Sequence, residues 1–202
     1  MNNLIVQLRI SLMVTLFLAV ILCGVYPLTV WVLAQGLFPD NANGSLVIRN
    51  GKILGSSLIA QGFASPEYFH PRPSTAGQGY DATRSGGSNL GPLSRKLVET
   101  VRQRVDEYRS ENHLPAGAMV PIDAVTASAS GLDSHINLTN ALIQAPRVAR
   151  ARGLIEDIVL RQIEVHSEGR DLGILGEPRV NVLMLNLALD RISTRTSSKG
   201  NN

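Results

Sequence analysis

A long apolar run without charges near the N-terminus constrains this chain more than any other feature. No Asp, Glu, Lys or Arg lies between Arg9 and Asp40. A helix rises about 1.5 Å per residue, so about 20 apolar residues cross the ~30 Å hydrocarbon core of a bilayer. The sequence therefore predicts a tail and membrane anchor over 1–39, with one transmembrane helix at about 12–34.

The residues at the two ends of this run indicate its bend and its orientation. Tyr26 and Trp31 lie toward the C-terminal end, where aromatic rings favour the membrane interface. Pro27 removes one backbone hydrogen bond, so we expect a kink there. Arg9 and the amino group precede the run, and Asp40 is the first charge after it. This distribution favours an N-terminus in the cytoplasm and a body outside.

A cleaved signal peptide is the main alternative to an anchor. Its apolar region usually covers about 7–15 residues, and this run is longer. Ala34 and Gly36 nevertheless keep cleavage open as an alternative. A lipoprotein signal is disfavoured, because Leu22 stands directly before Cys23 where a small residue is required.

The composition of the remainder predicts one soluble mixed α/β domain over 40–192, followed by a disordered tail over 193–202. The whole chain is therefore predicted to be α+β with a single N-terminal transmembrane helix.

The 19 Lys and Arg residues nearly balance the 16 Asp and Glu residues, and they form no basic patch with interleaved aromatics. We therefore expect no nucleic-acid partner. Cys23 is the one cysteine, so the body carries neither a disulfide nor a cysteine metal ligand.

Local patterns predict the first elements of the body. Asn50-Gly51 lies between apolar runs and predicts a hairpin with strands at about 45–49 and 52–60, because both residues of a type I′ turn need positive φ. Apolar residues then recur three and four positions apart over about 92–111. This spacing predicts an amphipathic helix that packs against the sheet.

The C-terminal half contains three further helical patterns. A short helix is predicted at 137–144, and Pro146 is expected to open a second helix that ends at Gly153. A third is predicted over 154–166. The apolar stretch 180–189 begins with β-branched residues and ends with Ala and Leu, so its period leaves strand and helix open.

Residues 61–92 show little periodicity and contain many Gly, Pro and Ser residues. A loop of this length in a compact domain is usually functional or disordered. Its aromatic residues can pin it to the body, so we interpret it as an ordered, partner-facing surface. The side chains expected to face a partner, with two from a later helix, are Gln61, Phe63, Tyr68, Phe69, Arg72, Arg147 and Arg150.

A Gly- and Ser-rich loop in this segment is the best candidate for nucleotide or partner contact. Its backbone N–H groups can point at an anion, although a structural turn has the same composition. The Walker A pattern is absent, so the chain is not expected to be an ATPase by itself. The candidate residues are Ser85, Gly86, Gly87, Ser88 and Asn89.

A hydrolase remains an alternative, because Ser128, Ser130, Asp133 and His135 lie close in sequence. No Gly-x-Ser-x-Gly motif surrounds either serine, and sequence neighbours seldom supply all the roles of a triad. The four histidines show no metal-ligand spacing. We therefore predict no catalytic residue and no metal.

Several motifs, in this order, resemble one family closely. They are Gln61-Gly-Phe63, Arg72-Pro-Ser74, Ser85-Gly-Gly-Ser-Asn-Leu-Gly-Pro92, Val125-Thr-Ala-Ser-Ala-Ser-Gly-Leu-Asp133, Arg147-Val-Ala-Arg-Ala-Arg-Gly153 and Gly176-Glu-Pro-Arg-Val-Asn-Val-Leu183. The chain resembles the C subunit of the bacterial Kdp potassium-transporting ATPase from the anchor to Asp190.

The resemblance implies an accessory single-pass subunit of an ATP-driven potassium import complex in the bacterial inner membrane. The implied partners are a channel-like A subunit, a P-type ATPase B subunit and membrane lipid. It also implies a catalytic chaperone that raises the ATP affinity of the B subunit, with ATP shared at the loop Ser85-Gly-Gly-Ser88. A body outside the cytoplasm would meet no ATP, so this implication conflicts with the expected topology. The alternatives are a membrane-anchored periplasmic hydrolase and a pure assembly factor without effect on turnover.

Overall fold

The computed structural model describes residues 2–199. The chain divides into two compact units, Met1–Ser56 and Ser57–Asn202. We call the second unit the body. Residues 40–56, predicted to belong to the soluble domain, therefore group with the N-terminal unit.

The apolar run of the N-terminal unit forms consecutive helical segments. They are α1 at Asn2–Ala19, a π-helical segment at Val20–Val25 and α2 at Tyr26–Leu37. In the part of the chain that the structure describes, Asn3–Leu37 is the one helix long and apolar enough to cross a membrane, with a mean hydropathy of 2.4. The helix extends beyond the predicted range of 12–34 at both ends.

The disturbance expected at Pro27 takes the form of the π-helical segment directly before it. Tyr26 donates its backbone N–H to the carbonyl of Ile21, five residues earlier. Such a widened turn is a local adjustment by which a helix accommodates a residue without an N–H donor. The Thr29 hydroxyl donates to the carbonyl of Val25 at 2.8 Å, which occupies another carbonyl of the same turn.

A short helix and the predicted hairpin complete the N-terminal unit. After α3 at Pro39–Ala42 come β1 at Leu46–Arg49 and β2 at Lys52–Ser56, which pair antiparallel. Asn50 and Gly51 have φ values of +52° and +74°, as the turn chemistry predicts. The hairpin is confirmed, although β2 ends before the predicted residue 60.

The body contains five helices and three short strands in the residues that the structure describes. They are α4 at Arg95–Glu111, α5 at Ile122–Val125, β3 at His135–Asn137, α6 at Leu138–Arg152, α7 at Glu156–Val165, β4 at Ser167–Glu168, β5 at Arg179–Asn181 and α8 at Val182–Lys199. The strands form an antiparallel sheet with β5 in the centre. The α+β class with one N-terminal apolar helix is thereby confirmed.

The core of the body lies where α6, α7 and α8 meet the sheet. Ile136 of β3 faces Val180 of β5 in the register, and both side chains are buried. Phe69 joins this core from the long loop and is 0% exposed. The helices contribute Ala141, Ala145, Val148, Ala149, Val159, Ile163, Val182, Leu185 and Leu189.

Residues 138–152 form a single helix, so the predicted break at Pro146 is wrong. The side chain of Asn137 caps α6 by accepting the N–H of Asn140 at 2.6 Å. The helix continues through Pro146 and ends at Gly153, whose φ is +64°. Buried residues on both sides of the proline hold the helix against α7 and the sheet, and this packing outweighs the local loss of one donor.

The apolar stretch 180–189, for which strand and helix were both open, contains the end of a strand and the start of a helix. Arg179–Asn181 is the central strand and Val182–Lys199 is the last helix. The side chain of Asn181 accepts the N–H of Met184 at 3.1 Å, which begins the helix. The helix extends into the predicted disordered tail 193–202, of which residues 200–202 lie outside the described residues.

Helix α4 begins three residues later than the sequence predicts, and it does not pack as expected. Ser94 caps it by accepting the N–H of Leu97 at 3.4 Å. Leu97 and Val101 are only half-buried, and Tyr108 is the buried residue of this helix. The main neighbour of α4 is the short helix α5, and Leu97 and Val101 are not buried, so the predicted burial of its apolar stripe against the sheet is wrong.

Two leucine truncations distinguish the apolar core of the body from the half-buried stripe of α4. Leu185→Ala, in the core, is expected to lower the free energy of unfolding by about 2–5 kcal/mol, because it leaves a cavity. Leu97→Ala removes a half-buried side chain and is expected to cost about 1 kcal/mol. Urea unfolding of the detergent-solubilised chain, followed by circular dichroism, measures both. Equal losses would contradict the placement of α4.

Candidate functional site

The long segment between β2 and α4, residues 57–94, contains neither helix nor strand. We call it the connecting segment. Backbone N–H and C=O groups that are buried without a partner cost free energy, so those of an irregular segment need side-chain or turn partners. The connecting segment obtains many of them from long side chains of α6 and α8.

Phe69 is held on both sides of its backbone by one buried amide. Asn186 of α8 accepts the N–H of Phe69 at 2.8 Å and donates to its carbonyl at 3.0 Å. The ring of Phe69 is in the core, so the prediction that Phe69 faces a partner is wrong. The segment is anchored here, at its most buried point.

A second amide and a guanidinium of α6 continue this pattern. Gln144 accepts the N–H of His70 at 2.8 Å and donates to its carbonyl at 3.2 Å. Arg147 donates to the carbonyls of Pro66 at 2.6 Å and Tyr68 at 3.1 Å. Arg147 is only 7% exposed, so most of its side chain is engaged inside the body, and its partner-facing role stays a prediction.

Arg152 holds the same part of the segment from the end of α6. Its Nε donates to the carbonyl of Glu67 at 2.6 Å, and its Nη1 lies 2.9 Å from a carboxylate oxygen of Asp190. Its guanidinium lies 5.0 Å from the ring centroid of Tyr68, whose ring contacts that of Phe63 at 5.2 Å. Both aromatic rings are half-buried, so the body fixes them while part of each stays accessible.

The other predicted partner-facing residues lie at the surface to different extents. Arg150 of α6 is exposed, and Gln61 and Arg72 are half-buried. Arg72 is paired with Asp133 at 2.9 Å. The structure contains no partner chain, so the partner-facing role of these residues and of Phe63 and Tyr68 stays a prediction.

The Ser85–Asn89 loop packs on the turn around Ser130. The N–H of Gly86 and the hydroxyl of Ser85 both donate to the carbonyl of Ser130 at 2.9 Å. Thr75 donates its hydroxyl to the carbonyl of Gly86 at 2.9 Å. The N–H of Gly86 is therefore already used inside the body, whereas the side chains of Ser88 and Asn89 are exposed.

Close packing favours glycine on both sides of this contact. A Cβ on Gly87 would lie 3.0 Å from the carbonyl oxygen of Ala129. Gly131 has a φ of +67°, and a Cβ there would lie 2.7 Å from the carbonyl oxygen of Gly86. Gly87 and Gly131 thus allow two backbones to approach closely, and this packing accounts for glycine at these two positions.

The serine, aspartate and histidine side chains do not form a triad. Ser130 Oγ lies 3.3 Å from Ser128 Oγ and accepts the N–H of Leu132. His135 Nδ1 instead lies 3.1 Å from the hydroxyl of Ser134, which is 4% exposed and therefore out of reach of a substrate. In the described part of the chain, no three His, Cys, Asp or Glu side chains group as metal ligands.

A cavity of about 390 Å³ lies between the connecting segment and α4. His70 borders it, with Nδ1 3.4 Å from a carboxylate oxygen of Glu111. Burial and the nearby charge of Arg147 lower the pKa of His70, so its ring is neutral at pH 7. Burial also raises the pKa of Tyr80, which lines the same cavity, to about 12. The cavity therefore combines aromatic rings and a neutral imidazole with the charged side chains of Arg104, Glu107 and Glu111.

Sequence reasoning missed the buried amides that hold the connecting segment. Asn186 stands in the apolar stretch 180–189 and Gln144 near the middle of α6, and each is 1% exposed. A polar residue on the apolar face of a helix is the available signal, because a buried amide needs partners. The identity of those partners is not encoded locally, since Asn186 binds a residue 117 positions away.

The sequence is similar to one described family over most of its length. The profile described as "KdpC: K+-transporting ATPase, c chain" matches residues 8–191. Proteins named potassium-transporting ATPase KdpC subunit are 54% identical in Mycobacterium tuberculosis, over 92% of this chain and 98% of theirs. The corresponding protein of Nitratidesulfovibrio vulgaris is 55% identical over 92% of this chain and 94% of its own length. That of Koribacter versatilis is 50% identical over 89% of this chain and 92% of its own length.

Two arginines on the same helix test how the connecting segment is held. Arg147→Ala leaves the carbonyls of Pro66 and Tyr68 without their donor, so the free energy of unfolding is expected to fall by at least about 2 kcal/mol. Arg150→Ala, at an exposed position, is expected to change it by less than about 0.5 kcal/mol. Urea unfolding compares the two, and similar midpoints would show that Arg147 does not stabilise the segment.

Proposed function

Because the chain belongs to the KdpC family, the c chain of K⁺-transporting ATPases, we propose that it acts as an accessory, non-catalytic subunit that helps to assemble the complex. The proposed partners are a channel-like subunit that carries the ion path and a P-type ATPase subunit. The helix Asn3–Leu37 is the proposed single-pass anchor in the inner membrane. We place the N-terminus in the cytoplasm and the body outside, on the basis of Arg9 and Asp40.

The observation that carries this proposal is the way the connecting segment is held. A long irregular loop is usually mobile, but buried side chains of α6 and α8 bond the backbone of residues 66–70. Loops positioned by a rigid scaffold are where binding residues concentrate. A surface ordered before binding also loses little conformational entropy when a partner docks.

A catalytic chaperone that raises ATP affinity is the second candidate, and the exposed side chains of Ser88 and Asn89 are what favour it. The use of the Gly86 N–H inside the body disfavours it, because a phosphate site needs such donors free. A body outside the cytoplasm disfavours it too. The hydrolase alternative is disfavoured because Ser130 and His135 do not contact each other.

A substitution on the exposed loop distinguishes the candidates. Ser88→Arg places a long charged side chain on the proposed surface without entering the core, and Arg170→Ser on the exposed turn after β4 serves as the surface control. Both variants are co-expressed with the other subunits. We expect Ser88→Arg to reduce their co-purification severalfold, with a matching loss of potassium-stimulated ATPase activity, while the control behaves as the unchanged protein.

The same preparation tests the alternatives. Normal assembly with a raised apparent KM for ATP would support the chaperone. Reduced co-purification with unchanged turnover per assembled complex would support a pure assembly factor. Full assembly and unchanged kinetics would contradict the proposal that this loop faces a partner.

A further inference from the structure

Arg147 is a buried cation without an anionic partner among the described residues. Four of its five N–H groups donate to neutral oxygens, including those of Asn112 at 3.0 Å and Gln144 at 2.7 Å. No carboxylate of the described chain lies within ion-pair distance of it, in contrast to Arg152 with Asp190. Buried charges in proteins are normally paired, so this guanidinium is an exception that needs a reason.

The hydrogen bonds of Arg147 do not compensate its charge fully. Burial lowers the pKa of Arg147, although the charge of Glu111 acts in the opposite direction. The amide and carbonyl oxygens bonded to Arg147 carry no net charge, whereas a carboxylate within about 4–6 Å would supply the opposite charge. An anion near Arg147 would therefore gain more from this position than from an exposed arginine.

A cavity of about 380 Å³ lies beside this guanidinium. Arg147 and Arg150 both border it, and they lie three positions apart on α6, hence on one face of the helix. Arg150 is exposed and forms no ion pair within the described residues. The rest of its wall consists of the apolar residues Ala64, Pro66 and Ala151 and of the polar residues His70, Ser110, Glu111 and His113. The cavity thus joins an apolar patch to two positive charges.

The charge balance of this cavity favours an anion. Glu111 is the one carboxylate on its wall, and its oxygen already faces the ring of His70 at 3.4 Å. Burial keeps that ring neutral at pH 7 by lowering the pKa of His70. Arg147 and Arg150 therefore outweigh Glu111 by one positive charge.

We propose that this cavity receives a carboxylate side chain, Asp or Glu, from another subunit of the transport complex. The inference rests on the proposed function, because it requires a partner subunit. The apolar patch suits the methylene groups of such a side chain, while the two arginines bind its carboxylate. A site for lipid headgroups would instead be a cluster of several Lys and Arg residues on an open surface.

Charge reversal at the rim tests the proposal in the assembled complex. Arg150→Glu places a like charge against the incoming carboxylate, and retention of the other subunits is expected to weaken about tenfold or more. The matched control is Arg161→Glu, an exposed arginine of α7 outside this cavity, which is expected to assemble normally. Equal retention of the two variants would overturn the proposal.

A photo-cross-linking amino acid at Ser110, an exposed residue on the cavity wall, identifies the occupant. We expect a cross-linked peptide of another subunit that contains Asp or Glu. Cross-links only to lipid, or none in a complex that is fully assembled, would overturn the proposal. If Arg150→Glu assembles normally while Ser88→Arg does not, the cavity inference fails and the accessory role stands. If both assemble with normal activity, the proposed docking function fails as well.

Discussion

The need to satisfy the backbone of the connecting segment determines how the body is built. Residues 57–94 have no ladder or helix to pair with, so buried side chains take that role. Asn186 and Gln144 each bind both polar groups of one residue, as a neighbouring strand would. These amides lie in helices that also form the apolar core, so packing and polar pairing stabilise the same arrangement.

This arrangement is consistent with the proposed accessory role. Asn186, Gln144 and Asn140 at its centre are engaged with one another or with backbone, and Ser130 and His135 contact neighbouring hydroxyl groups. What remains accessible is a fixed surface: the loop near Ser88, the aromatic edges and the cavity beside Arg150. Membership of the KdpC family provides the complex in which such a surface has a use.

The sequence predicted those features whose cause lies within a few residues. The positive φ at Asn50 and Gly51, the stop at Gly153 and the long apolar N-terminal helix all follow from local chemistry. The sequence did not predict that α6 continues through Pro146 or that Arg147 is buried, because contacts distant in sequence decide both features. An arginine contributes the same local sequence pattern whether its guanidinium faces solvent or binds the carbonyl of a residue 81 positions away. The periodicity of α4 also could not show that no other element buries Leu97 fully.

Amide hydrogen exchange at Phe69 and His70 tests most directly whether buried amides order the connecting segment. The account predicts that both amides exchange as slowly as those in the middle of α6, because they open only when the surrounding core opens. It also predicts that Asn186→Ala accelerates exchange at Phe69 while leaving α4 unchanged. Exchange of both amides at the rate of an exposed loop, in the unsubstituted chain, would contradict the account.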